Sequence, residues 1–303
     1  MSTTDDTTVS SRTAARAPRL PDALRLGSVH LIVSDLERSI AYYERSIGLV
    51  VQRRSDGTAS LGAGGDDLLV LTEDPGVRPP GRHTGIYHFA LLFDSREELA
   101  HAVQRLAATH TEIDGASDHG VSEAIYLTDP DGIGIELYAD RPRSEWPPPA
   151  EPGDRVGMVT LPLDMEDLLG VVRGQDPREQ AGSGLKVGHV HLYVNDIAAA
   201  LAFYRDVVGF DVMADLGSAE FLSAGGYHHH VGFNVWRGRG IPAAPPTGVA
   251  GLGHWTVVLP SADELVAVRG RIEASGGTVT DHHGGFVTRD PAAIAVAFVD
   301  ASR

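Results

Sequence analysis

The chain has no cysteine in its 303 residues, which excludes disulfides, cysteine-ligated zinc and thiol nucleophiles together. Basic residues are scarce. Lys and Arg number 25 against 41 Asp and Glu, leaving a formal net charge of −16. A surface of that sign repels phosphate backbones and anionic headgroups, so neither nucleic acid nor a membrane is an expected partner. No apolar run approaches the ~20 residues that a helix needs to cross a bilayer. Residues 1–22, rich in Thr, Ser, Ala and Arg, lack the apolar segment of a secretory signal and read as a disordered tail. These absences together lead to the expectation of a cytoplasmic protein.

What is present is a repeat. Segments beginning near Val29, Tyr87, Val187 and Leu252 share a plan of strand, helix and further strands. LGSVHLIVSDLERSIAYYERSIGL matches VGHVHLYVNDIAAALAFYRDVVGF. GIYHFALLFDSREEL with LTDPDGIGIELY matches GLGHWTVVLPSADEL with TRDPAAIAVAFV. In the first segment Leu36, Ile40, Tyr43 and Ile47 fall at helical spacing, with Asp35 placed as N-cap and Gly48 as the closing glycine. The third repeats this with Asp196, Leu201, Tyr204 and Gly209. The expected organisation is α+β. Two halves, 23–140 and 185–303, each hold two βαβββ units. They are joined by a connector over 141–184 with a short helix at 165–172. One unit cannot bury its sheet face alone, so units must pair into curved sheets that form two cups. The lining of a cup is the expected site.

Which units pair decides which cup can do chemistry. The inward position of each first strand is occupied by Ser28, His88, His189 and His254, and the last strands of units 2 and 4 offer Glu136 and Ala297. Pairing units 1 and 2 gives Ser28, His88 and Glu136; pairing 3 and 4 gives His189, His254 and Ala297. Only the pairing of 2 with 3 completes a set, His88, Glu136 and His189. Two histidines and one carboxylate with open positions are typical of non-haem Fe(II) oxygenases. The other cup, from units 1 and 4, is then vestigial. Glu136 stands among apolar residues in GIGIELY, where burial is costly unless the acid is paired or coordinated. His30 is expected to point to the other face of its strand. His83, His101 and His110 read as structural or surface residues.

These residues resemble the vicinal oxygen chelate superfamily, and within it the type I extradiol ring-cleaving dioxygenases. The specific stretch is DHGVSEAIYLTDPDGIGIE, Asp118 to Glu136, in which His119, Ile125-Tyr126, Asp129-Pro130, Gly132 and Glu136 follow the family pattern. A second is GGYHHHVGF, where aligning Gly232-Phe233 with the family's Ala-Phe places His229 at the catalytic acid–base position. His228 and His230 are then expected on the opposite face of that strand. The resemblance implies two sheet cups and Fe(II) held by His88, Glu136 and His189. It implies a base at His229, and His119 and Tyr126 as hydrogen-bonding partners of substrate oxygen. Tyr227, Phe233, Trp236 and Trp255 support the cup, chiefly as core. The implied reactants are a small aromatic diol and O2, and the resemblance leans towards a homo-oligomer. The ligand set alone selects poorly between Fe(II) and Mn(II). The superfamily also holds glyoxalase-like isomerases and thiol transferases, and a non-catalytic aromatic-binding module has the same fold. The better-known extradiol enzymes build their site from consecutive units, whereas this chain requires its halves to exchange units.

Overall fold

In the computed structural model, residues 19–149, 151–245 and 247–301 are described. Unit 1 runs through β1 (Arg25–Val33), α1 (Leu36–Tyr42, continued by a π-helical turn over Tyr43–Ile47), β2 (Val50–Ser55), β3 (Thr58–Gly62) and β4 (Asp67–Glu73). Unit 2 has β5 (Gly85–Phe93), α2 (Arg96–Ala108), β6 (Gly115–Asp118), β7 (Ser122–Thr128) and β8 (Gly134–Asp140). The connector contributes β9 (Leu161–Pro162) and α3 (Met165–Gly170), close to the expected helix. Unit 3 has β10 (Lys186–Tyr193), α4 (Ile197–Leu201, continued by a π-helical turn over Ala202–Val208), β11 (Asp211–Asp215), β12 (Ala219–Ser223) and β13 (Val231–Asn234). Unit 4 closes with β14 (Gly251–Leu259), α5 (Ala262–Ala274), β15 (Val279–His282), β16 (Gly285–Arg289) and β17 (Ala295–Asp300).

The halves do exchange units. One sheet has the order β15-β16-β17-β14-β1-β4-β3-β2, joining units 4 and 1. The other has the order β11-β12-β13-β10-β5-β8-β7-β6-β9, joining units 3 and 2. At each junction the leading strands pair antiparallel, β1 with β14 and β10 with β5. Successive side chains on a strand alternate between faces. Phe89 and Leu91, like Val190 and Leu192, therefore turn into the shared apolar core, and all four are fully buried. Tyr204 stacks on Phe233 within that core and tilts against Trp255 from the other sheet.

The same local devices recur in each half. Asp35 and Asp196 cap α1 and α4, and Ser95 and Ser261 cap α2 and α5, each accepting a backbone N–H with its side chain. The Tyr43 hydroxyl donates to Asp129 Oδ2 at 2.9 Å, and the Tyr204 hydroxyl to Asp290 Oδ2 at 2.9 Å. Arg105 reaches the Ile47 carbonyl at 2.6 Å, and Arg271 the Val208 carbonyl at 2.7 Å. These contacts tie neighbouring units of one half together although their strands belong to different sheets.

Residues 1–18 of the expected tail lie outside the described residues. Its last part is packed: Leu20 is buried and its amide donates to the Gly209 carbonyl at 2.9 Å. Among the described residues, no helix is long and apolar enough to cross a membrane.

Candidate metal centre

The register of the second sheet brings three polar side chains together. His189 on β10 lies opposite Ala90 on β5, and Ala90 is level with Glu136 on β8. Directly opposed residues point to one face, so His189, His88 and Glu136 rise around the small side chain of Ala90. A bulge helps to aim them. Gly188 is the extra residue between paired Val187 and His189, and such an insertion bends a strand and re-aims its neighbours.

Glu136 Oε2 is 3.0 Å from His88 Nε2 and 3.1 Å from His189 Nε2, and the two nitrogens are 3.3 Å apart. All three residues are buried, and their ligand atoms are the one such cluster among the described residues. An ion about 2.1 Å from three ligands at right angles needs them about 3.0 Å apart, so the spacing fits one face of an octahedron. Without a cation the arrangement is frustrated. If both Nε2 atoms carry protons, two N–H groups crowd each other, and if one does not, its lone pair faces a carboxylate. The Nδ1 atoms of both rings have no partner among the described residues, so the rings' polar interactions point to the centre.

Burial alone would raise the Glu136 carboxyl, but the adjacent His189 and His88 hold it well below the usual range. Burial pushes His189 down to about 4, leaving a neutral ring with a lone pair to offer. Burial, reinforced by Glu136, raises Tyr126, which stays a hydroxyl donor.

A cavity of 370 Å³ opens on the cluster. His88, Glu136, His119, Tyr126 and His229 all border it, so five of the six candidate residues line one space, and His189 contacts two of them, His88 and Glu136. The His229 ring is 4.0 Å from that of His189 and is held well below its ordinary value, first by burial and then by His189 and His228. His119 Nδ1 donates to the Val159 carbonyl at 2.8 Å, so its Nε2 accepts from the Tyr126 hydroxyl at 2.7 Å. Glu136 is the only carboxylate among the described residues of the lining, and no Lys or Arg borders it.

Some expectations need correction. The histidine triplet is not on a strand: it forms the turn before β13, and all three rings are buried. His228 bonds Asp140 and His229, while His230 Nδ1 meets the Ser223 hydroxyl at 3.0 Å. Phe233 and Trp255 are core residues, Tyr227 bonds Asp140, and Trp236 borders the cavity. His30 does not turn away. It stands two residues from Ser28, hence on the same face, and both border the other cup with His254 and Ala297. His30 Nδ1 lies 3.2 Å from His254 Nδ1. Two features of the candidate cup go beyond the sequence expectations. His191 borders it, signalled only by the His-x-His spacing with His189, and Met158, Val159 and Thr160 roof it from the connector, with no signal at all.

The family model of the Glyoxalase/Bleomycin resistance protein/Dioxygenase superfamily matches residues 25–137 and 186–296. The catechol-2,3-dioxygenase of Bacillus subtilis (strain 168) is 44% identical over 271 residues, covering 88% of this chain and 93% of the relative. A lactoylglutathione lyase of Escherichia coli O157:H7 is 28% identical over 127 residues, 39% of this chain and 94% of the relative. Among solved structures, a putative dioxygenase from Bacillus subtilis subsp. subtilis str. 168 superposes with a TM-score of 0.65 at 11% identity, covering 95% of this chain and 87% of that one. Glyoxalase I from Zea mays does so with a TM-score of 0.58 at 18% identity, covering 92% of each. At those identities the likeness is one of fold.

Proposed function

The chain belongs to the Glyoxalase/Bleomycin resistance protein/Dioxygenase superfamily, and on that premise we propose that it is an Fe(II)-dependent extradiol dioxygenase that opens a catechol-type aromatic diol with O2. The observation that carries this reading is the buried triangle of His88, His189 and Glu136, spaced for one octahedral face and facing a cavity with no second carboxylate among its described lining residues. A glyoxalase-like isomerase calls for a further carboxylate or glutamine ligand, and this lining offers histidines instead. The 44% identity to a catechol-2,3-dioxygenase over most of both chains supports the same choice.

In this reading His88, His189 and Glu136 hold the ion, and bound Fe(II) supplies the electron path between diol and O2 that the protein lacks. The remaining work falls to the side chains. His229, neutral in its buried setting, takes a proton from a diol hydroxyl and later returns it. The Tyr126 hydroxyl stands beside His88, and on substrate binding its hydrogen turns from His119 Nε2 to a substrate oxygen as negative charge grows there. Tyr87, Phe221 and Trp236 supply apolar walls for a ring, and the connector roof limits entry of water. Manganese suits the same ligands, so metal content is part of the test.

The test loads the purified protein anaerobically with Fe(II) or Mn(II), adds catechol and air, and follows O2 uptake with near-UV and visible absorbance. A yellow product with matching O2 uptake is expected with Fe(II), and Glu136→Gln should lose both iron and turnover. No O2 uptake across a panel of diols, with iron measured as bound, refutes the dioxygenase reading.

A further inference from the structure

A chain of hydrogen bonds runs from His229 away from the cavity. His229 Nδ1 is 2.8 Å from His228 Nδ1, and His228 Nε2 is 2.9 Å from Asp140 Oδ1. The same Asp140 oxygen accepts from the Tyr227 hydroxyl at 3.1 Å, and Tyr227 Oη lies 2.7 Å from Tyr138 Oη. Both histidines are buried, and Asp140 ends the strand that carries Glu136. A base acting alone at His229 needs none of this.

These contacts fix which nitrogens carry hydrogen. A carboxylate oxygen only accepts, so His228 Nε2 bears the proton. Neutral His228 then has its lone pair on Nδ1. Its contact with His229 is a hydrogen bond only if His229 Nδ1 donates. The lone pair of His229 is thereby assigned to Nε2, which makes no hydrogen bond to any described residue in a ring that borders the cavity. The opposite sense would require His228 to be an imidazolium. That cation would pair with Asp140 at 2.9 Å, a carboxylate shared with the Tyr227 hydroxyl, and would otherwise be buried against the His229 ring at 4.8 Å, the Trp146 ring at 5.6 Å and the His189 ring at 6.2 Å. Burying it there is the costlier arrangement.

We infer that Asp140 and His228 are positioning residues that hold His229 as its Nδ1–H tautomer and so make Nε2 the acceptor of the substrate's hydroxyl proton. Only a proton moves in that step. The O–H bond breaks, the electron pair stays on the substrate oxygen, and the new imidazolium keeps its Nδ1–H on His228, with Asp140 behind it. The catalytic part rests on the proposed role of His229, but the tautomer does not.

The test uses the full chain with ¹⁵N-labelled histidine, loaded with Zn(II) as a diamagnetic ion. Two-bond ¹⁵N–¹H spectra report the tautomer, with His229 assigned from the signal lost in His229→Gln. The native protein should show His229 protonated at Nδ1. His228→Gln, which keeps an acceptor, should preserve that state, and His228→Leu should give a mixture. In the Fe(II)-loaded enzyme His228→Leu should lower kcat by about 10–100-fold with KM and bound iron unchanged, and Gln should restore most of the loss. Should His228→Leu fail to fold, Asp140→Ala probes the same chain one bond further out and should also mix the tautomers. Native His229 protonated at Nε2, or a fixed Nδ1–H in both variants, overturns the inference. If no diol is opened at all, the spectra still decide the tautomer, so the two failures are distinguishable.

Discussion

Removing the Tyr43 hydroxyl should destabilise the protein by an amount that grows with pH. In Tyr43→Phe, Asp129 loses one of its donors and keeps the amides of Asp131 and Ile133, at 2.9 and 2.8 Å from Oδ1. Burial raises the Asp129 carboxyl to about 6 against the pull of those donors. This folded value lies above the reference of 3.8, so the carboxyl's contribution to stability is full below that reference and is lost as pH rises through about 6. At pH 4 the folded carboxyl is protonated, and the variant loses a neutral hydrogen bond worth about 0.5–1.5 kcal/mol. At pH 8 it is ionised, and losing the donor costs about 1.5–3 kcal/mol. Losing the donor also raises Asp129 further, which extends the loss in the same direction. Urea unfolding followed by tryptophan fluorescence at the two pH values measures the difference. Tyr204→Phe should behave alike, because Asp290 is also raised to about 6 and has the equivalent donors, the Tyr204 hydroxyl and the amides of Ala292 and Ile294. With no shared partner, the double variant should show the sum. A cost larger at pH 4 than at pH 8, or no cost at either, would refute the reasoning.

His229→Gln should retain iron, measured by metal analysis, while turnover falls about 10²–10⁴-fold; unchanged turnover would remove its role as base. In Gly188→Ala the new Cβ would sit 1.8 Å from Tyr138 Oη and 3.0 Å from Leu92 Cβ. Strain of about 1–3 kcal/mol should appear in the same unfolding assay, and a neutral result would show that the bulge at Gly188 yields easily. The cavity lacks Lys and Arg among its described lining, so a carboxylate-bearing catechol should have a much higher KM than catechol or an alkyl catechol, and equal values would argue that charge is accommodated elsewhere.

The repeat was the legible part. Strand and helix periods, aspartate caps and matching segments are local signals, and they led to four units and to the 2-with-3 pairing because only that pairing completes a ligand set. The clustering of the three candidate ligands was readable for the same reason: each stands on a strand whose partner the repeat identifies. Legibility failed where position depends on a turn or on distant chain. The triplet at His228–His230 looks like strand sequence, yet Gly225 and Gly226 place it in a turn with both glycines at positive φ. That turn sends His228 to Asp140, 88 positions away in sequence. The roof at Met158–Thr160 comes from irregular connector with no pattern to read. His30 shows a slip in register, since a one-residue error in a strand inverts the side-chain direction.

The exchanged sheets also bear on ancestry. A single half that paired with a second copy of itself around a two-fold axis would have held two identical cups. Each would have taken one ligand from a unit like the third and two from a unit like the second. Fusing the copies freed each cup to change alone. The chain can be regarded as a tethered dimer in which one cup keeps His189, His88 and Glu136, while the other retains His254 but has Ser28 and Ala297 at the equivalent places. Its metal stoichiometry would then be a matter of two side chains. Ser28→His with Ala297→Glu should raise bound divalent metal from one ion per chain to two in equilibrium dialysis. A count that stays at one would mean that the silent cup has drifted in shape as well as in sequence.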